Sequence, residues 1–223
     1  MDCNIKHCII NVGYGGWYSK GTERLKKSLN YHGYSGDVLT WADFPNNNYD
    51  KSCPYNVKAG AFEEALKLGY THILWMDCSC WAIKQVEPIF DIINEYGYYI
   101  PKSGYNAAQV CSDKCLNYFG VDRDTAEKYS DTSTCVFGIN YENPLGREFI
   151  DTWLKSAKDG QFIGSREHNN QSKDSRFLFY RQDQSCATMV ANKMQLNLSN
   201  LGELVSYYSP DMPKSTIIAA KGL

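Results

Sequence analysis

Apolar and polar positions alternate along this chain in short blocks whose periods predict successive elements. His7-Cys-Ile-Ile-Asn-Val12 is a compact apolar run ending in Gly13-Tyr-Gly-Gly16, so a first strand running into a glycine turn is expected. Thr22 is placed to cap a helix carrying Leu25 and Leu29, with Gly33 as its stop. Asp37-Val-Leu-Thr40 reads as a second strand. Pro54 opens the next helix, which puts Val57, Ala61, Ala65 and Leu68 on one face and closes at Gly69. Ile73-Leu-Trp-Met76 is unbroken apolar, the habit of a central parallel strand covered on both faces.

A helix over Val86 to Glu95 and a strand at Tyr98-Tyr-Ile100 come next, followed by a polar, cysteine-dotted stretch, 101–131, without a period. Thr134 to Asn140 reads as a further strand. Asn143-Pro144 starts a helix with Phe149, Ile150, Trp153 and Leu154 inward and Gly160 at its end. Residues 164–185 are polar until Phe177 and lead into a helix bearing Ala187, Val190 and Met194. The alternation predicts an α/β sheet with mainly parallel strands. It is read as one domain over 1–223, divided softly near Pro101 into a nucleotide-binding half (1–100) and an acceptor-side half (101–223). The last stretch, STIIAAKGL, has no terminating signal, so the domain is also readable as part of a longer chain.

Composition narrows the class. With 43% hydrophobic and 22% charged residues among 223, this is an ordinary soluble globular composition. A net charge of -2 and the lack of any basic run beyond RLKKSL argue against a nucleic-acid partner. No window approaches the ~20 apolar residues of a membrane helix, and MDCNIKHCIINV is not a signal peptide, so no membrane span is expected and the placement is cytoplasmic. The nine cysteines are read as free thiols of a reducing compartment, which leaves the sequons at Asn170 and Asn197 unmodified. Cys78-Ser-Cys80 and Cys111-x-x-x-Cys115 lack the paired spacing of a structural zinc site.

Ligands of an open α/β sheet sit beyond the carboxyl ends of its strands. Two features fall there. Glycines let the backbone around Val12, Gly13 and Tyr14 approach a ligand, with Tyr14, Trp17 and Tyr18 available to stack on a base; the same residues also make an ordinary tight turn. Asp77 closes the buried strand. A carboxylate repels a diphosphate unless a hard divalent cation, Mn²⁺ or Mg²⁺, lies between them, and Ser79 is on the same side to share that ion. The plainer role for Asp77 is to cap the following turn.

The stretch PYNVKAGAFEEALKLGYTHILWMDCS resembles the core of nucleotide-sugar glycosyltransferases of the GT-A fold, in which a helix leads into an apolar strand ending in Asp-x-Asp. The resemblance runs from NVGYGG to RQDQS, and is similar in particular to small virus-encoded members that decorate capsid proteins. It implies a Rossmann-like mixed sheet flanked by helices. It also implies a nucleoside-diphosphate sugar donor (uridine diphosphate by resemblance), a glycan or glycoprotein acceptor, and the host cytoplasm for a viral member. The motif here is Asp77-Cys78-Ser79, with serine in the place of the second aspartate, which weakens the hold on a metal.

By the same resemblance Lys58 reaches the phosphates or the sugar, unless it is a solvated helix lysine. His168 is either a third metal ligand or a plain loop histidine. TSTCVFGIN looks like the strand bordering the acceptor side. Asp183 resembles the acidic residue that deprotonates the acceptor hydroxyl in inverting members; a helix cap is the alternative, and Glu167, Asp174 and Asp131 are rival bases. Two other functions stay open. A sugar nucleotidyltransferase would need the loop GYGGWYSKGTER, with Arg24, to hold phosphates; a non-catalytic nucleotide- or carbohydrate-binding module is favoured by Ser79.

Overall fold

The computed structural model describes residues 6–163, 172–198 and 204–221. In chain order the elements are β1 (His7–Val12), α1 (Tyr18–Tyr31), β2 (Asp37–Trp41), α2 (Asn56–Lys67), β3 (His72–Met76), β4 (Cys80–Ala82), α3 (Glu87–Tyr96) and β5 (Tyr98–Tyr99). Then come β6 (Lys102–Asn106), α4 (Ala107–Val110), α5 (Asp113–Phe119), α6 (Arg123–Glu127), β7 (Ser130–Thr132), β8 (Val136–Asn140), α7 (Pro144–Lys158), α8 (Asp183–Lys193), β9 (Val205–Tyr207) and β10 (Ile218–Ala220).

A five-stranded sheet in the order β2-β1-β3-β8-β5 forms the centre. β1 lies parallel to both β2 and β3, with Ile9 opposite Val38 and Leu74. β8 then runs antiparallel to β3 and to β5, Leu74 facing Gly138. The expectation of mainly parallel strands therefore holds for the first half alone, and the second half enters the same sheet in the opposite sense. Two smaller sheets, β4-β10-β9 and β6-β7, flank it. Every residue of β3 is buried, as its unbroken apolar run requires of a strand with neighbours on both edges.

Some expected boundaries shift, each for a physical reason. α1 begins at Tyr18, so Thr22 is internal rather than a cap, and its hydroxyl donates to Asn11 Oδ1 on β1 at 2.6 Å. Gly33, at φ +78°, ends the excursion as expected, in a region that favours glycine. Leu68 falls past the end of α2 and is 57% exposed, so it does not extend that helix's buried face. Stretch 101–131 holds β6, three helices of four to seven residues and β7. Helices that short complete too few turns to display a period. Their signal is in the caps instead: Asn106, Ser112 and Asp122 each accept from the backbone N–H three residues on.

An aromatic cluster joins the halves. Phe62 of α2, Phe137 of β8 and Trp153 of α7 are fully buried, with ring centroids 5.0–5.8 Å apart. Each such pair contributes about 0.5–1.5 kcal/mol beyond its area burial. Cys78 and Cys80 diverge: the Cys78 thiol donates to the Val12 carbonyl at 3.2 Å, while Cys80 turns toward the Cys135 carbonyl at 3.7 Å. The described cysteines are free thiols. No helix among the described residues is long and apolar enough to cross a membrane.

Candidate active site

Because β1 and β3 run parallel, their carboxyl ends open at the same edge of the sheet. Two cavities meet there. One, of about 500 Å³, is walled by Val12, Tyr14, Trp17, Tyr18, Val57 and Trp75. Its neighbour, of about 410 Å³, is walled by Ser133, Thr134, Arg181, Gln182, Asp183 and Gln184. Tyr55, Lys58, Asp77 and Ser79 line both, so they form the seam.

The seam is an ion bridge. Lys58 Nζ sits 2.9 Å from Asp183 Oδ2 and 3.3 Å from Asp77 Oδ1, and donates to the Thr134 carbonyl at 3.0 Å. Thr134 Oγ1 donates to the same Asp183 oxygen at 2.8 Å, and Trp75 Nε1 donates to Asp77 Oδ1 at 2.8 Å. Lys58 and Asp183 are buried, while the Asp77 side chain keeps 30% of its surface open. Burial by itself would lower the Lys58 pKa; the carboxylates of Asp183 and Asp77 outweigh it and hold the ammonium above its ordinary range. Burial pushes the Asp77 carboxyl above the usual carboxylate range, with Lys58 pulling the other way.

The loop after β3 is fastened by α1. Arg24 Nη2 donates to the carbonyls of Ser79 (2.8 Å) and Cys78 (3.2 Å), and its guanidinium stacks 4.2 Å over the Trp81 ring. Gly21 lets the helix come this close, since a Cβ there would run into the Cys78 carbonyl. On the other wall α8 starts directly with Asp183, whose carbonyl accepts from Trp153 Nε1 at 3.0 Å, so the aromatic core holds the start of that helix. Gln182, just before it, is buried with φ 49° and ψ -111°. A non-glycine residue in that region costs on the order of 1–3 kcal/mol and persists where the surroundings over-determine it.

Two oxygen donors at the seam are free to take a divalent ion. Asp77 Oδ2 has no hydrogen bond among the described residues, and Ser79 Oγ has only the Cys80 thiol at 3.8 Å. Both are hard oxygen ligands lining the same cavities. No group of three or more His, Cys, Asp or Glu among the described residues could hold a metal. Asp77 and Ser79 are oxygen donors of the kind Mg²⁺ or Mn²⁺ takes, and by themselves they would hold such an ion only with phosphate oxygens and water as further ligands.

Of the residues singled out in the sequence, Val12 and Tyr14 line the aromatic cavity, Lys58, Asp77 and Ser79 the seam, and Asp183 the polar cavity. Gly13 lies behind the wall, its N–H donating to the Trp41 carbonyl at 2.7 Å. His168 and Glu167 lie outside the described residues. The rival bases Asp131 and Asp174 are occupied elsewhere: Asp131 is buried against Ser103, Gln184 and Thr188, and Asp174 pairs with Arg176 at 2.8 Å. Tyr55, Thr134, Arg181 and Gln182 were missed. Each lies inside a stretch quoted for the resemblance, Tyr55 in PYNVKAG, Thr134 in TSTCVFGIN, Arg181 and Gln182 in RQDQS, but none was singled out by residue type or spacing.

No protein-family model matches the sequence, and no curated protein matches it. The fold itself is that of glycosyltransferases, with the mixed α/β sheet and flanking helices expected of the GT-A type. The apo structure of the bifunctional glycosyltransferase WbbM superposes at a TM-score of 0.53 and 9% identity over 99% of this chain, which spans 46% of that protein. Apo mouse xyloside xylosyltransferase 1 superposes at 0.53 and 9% identity, over 96% of this chain and 97% of the other. A glycosyltransferase involved in glycosylation of the PBCV-1 major capsid superposes at 0.49 and 9% identity, over 96% and 91%.

Proposed function

We propose that this protein transfers a sugar from a nucleoside diphosphate, uridine diphosphate foremost, to a hydroxyl of a glycan or protein acceptor. The observation that carries the reading is the seam: an aromatic cavity and a polar cavity meet at Lys58, Asp77 and Ser79. The aromatic cavity suits a base, with Tyr14, Trp17 and Tyr18 at its wall, and the polar cavity suits the sugar and the acceptor. On this reading residues 1–100 supply most of the nucleotide side and 101–223 the acceptor side.

In the transfer, an acceptor hydroxyl oxygen forms a bond to the anomeric carbon as the bond from that carbon to the diphosphate oxygen breaks. Asp183 takes the hydroxyl proton. Its Oδ2 is engaged by Lys58 and Thr134, which fixes the carboxylate and leaves Oδ1 without a hydrogen bond among the described residues. Asp77 and Ser79 would hold Mn²⁺ or Mg²⁺ against the diphosphate, and the ion, when bound, offsets the charge of the leaving group. Lys58 keeps the two carboxylates together so that both face one substrate.

The reading is tested by calorimetry with uridine diphosphate, with and without Mn²⁺, alongside hydrolysis and transfer assays across a panel of nucleotide sugars. Metal-enhanced binding with slow donor hydrolysis is expected. Binding without turnover across the panel would leave a non-catalytic module, and pyrophosphate release from a sugar phosphate and a nucleoside triphosphate would mark a nucleotidyltransferase. The second outcome is disfavoured by Arg24, whose guanidinium is held by the loop carbonyls and Trp81.

A further inference from the structure

The seam has more negative than positive charge of its own. Lys58 faces two carboxylates, and its ammonium already serves Asp183, Asp77 and the Thr134 carbonyl. A diphosphate entering the cleft adds further negative charge. Of the residues walling the polar cavity, one other carries a positive charge: Arg181.

Arg181 differs from the other described arginines. Arg24 and Arg147 donate to carbonyls, while Arg123 and Arg176 pair with carboxylates. The Arg181 guanidinium has no hydrogen-bond or ion-pair partner among the described residues. It lies instead over the rings of Phe179 (5.6 Å) and Tyr105 (5.9 Å). Asp131 feels its charge, yet the Asp131 oxygens are taken by Ser103, Gln184 and Thr188. A guanidinium bedded on aromatic faces keeps its planar fork of N–H donors, the geometry that matches carboxylate and phosphate.

The backbone at this position is fixed. Arg181 N donates to Ser185 Oγ at 3.0 Å and to the Val110 carbonyl at 3.3 Å, and the strained Gln182 separates it from Asp183. Strain of this kind persists only where the surroundings over-determine it, so the position of Arg181 at the cavity wall is fixed from both sides.

We propose that Arg181 is an oxyanion-binding residue of this cleft, its guanidinium receiving either the donor's phosphate or an acidic group on the acceptor. The proposal rests on the glycosyltransferase reading above. It adds a substrate contact on the wall opposite Asp77.

The test is calorimetry on wild type, Arg181→Gln and Arg181→Lys, with uridine, uridine diphosphate and inorganic pyrophosphate as probes in the presence of Mn²⁺. Glucuronate and glucose are then titrated into the protein saturated with uridine diphosphate. If phosphate is the ligand, Arg181→Gln weakens uridine diphosphate and pyrophosphate about tenfold or more, Arg181→Lys recovers part, and uridine is unchanged. If an acidic acceptor is the ligand, uridine diphosphate is unchanged and the preference for glucuronate over glucose disappears. The proposal is overturned if Arg181→Gln, melting like wild type, alters neither set. Should that variant melt low, Arg181→Met, which keeps apolar cover on both rings, is measured in its place. Arg181-dependent pyrophosphate binding without any affinity for uridine or uridine diphosphate would sink the nucleotide-sugar reading and keep the anion site. Tight uridine diphosphate binding indifferent to Arg181, with no glucuronate preference, would do the reverse.

Discussion

On the β1 side of the cleft the wall is mostly aromatic and apolar; on the α8 side hydroxyls, amides and charge stand beside Phe179, Tyr180 and Tyr207. The first takes its exposed rings, Tyr14, Trp17 and Tyr18, from one glycine turn after β1 and completes its wall with Val57 of α2 and Trp75 of β3. The second is gathered from the start of β8 and the start of α8, which lie far apart in the chain. An apolar wall tolerates small displacements, because burial is non-directional. A wall that handles a proton does not, because hydrogen bonds weaken steeply with distance and angle. That difference accounts for the bracing around the carboxylate on the α8 side: Trp153 on the Asp183 carbonyl, Thr134 and Lys58 on its carboxylate, and strain at Gln182.

The contrast can be broken most sharply at Asp183. Asp183→Asn keeps the shape of the polar wall and removes the base, so kcat should fall by about 10²–10⁴-fold while donor KM holds. A fall in donor affinity instead, with kcat preserved, would move Asp183 to the donor side. Lys58→Met should act on stability, since it leaves the buried Asp183 and the partly buried Asp77 without their cation; a loss of about 3 kcal/mol in urea unfolding is expected. Asp77→Asn should separate the two quantities. Burial already disfavours the charged form there, so melting should change little, whereas transfer should drop about a hundredfold or more with the loss of the metal's anchor. Equal losses in melting and turnover would make Asp77 a structural cap.

On the aromatic wall, effects should be milder and confined to binding. Trp17 stacks on Tyr18 with centroids 4.4 Å apart, and Trp17→Ala should weaken the nucleotide by about 1–3 kcal/mol without changing kcat. The smallest effect is expected away from both walls, at His72 in β3. Burial lowers its pKa below the ordinary 6.5, so the folded state resists protonation that the unfolded state accepts. Its contribution is present above about pH 6.5 and is lost as the pH falls below that value. Melting measured from pH 7 to 5.5 should decline less in His72→Gln than in wild type; identical slopes would show that His72 protonates without penalty.

Much of the framework was readable in the linear pattern. The apolar run of β3 is buried at every position and ends in Asp77, as its composition implies. The inward residues of α7, Phe149, Ile150, Trp153 and Leu154, are all buried, and Asp183 does open a helix. Three things were not readable. Short helices in 101–131 have caps but no period. Thr22 looks like a cap and is a buried internal partner of Asn11. Lys58, which as a helix lysine could equally have been solvated, is buried between two carboxylates.

Periodicity and caps are properties of neighbouring residues, so the chain's order alone dictated where strands and helices begin, which faces turn inward, and that a carboxylate ends the central strand. Pairing between charges is a property of distance in space. Nothing in the order of residues brings 77 and 183 within reach of the ammonium of 58, or leaves Arg181 without an ion-pair partner among the described residues while Arg176 has three. Those arrangements arise only when the antiparallel β8 joins β3 and the aromatic core of α2, β8 and α7 closes, because burial then decides which charges must share partners.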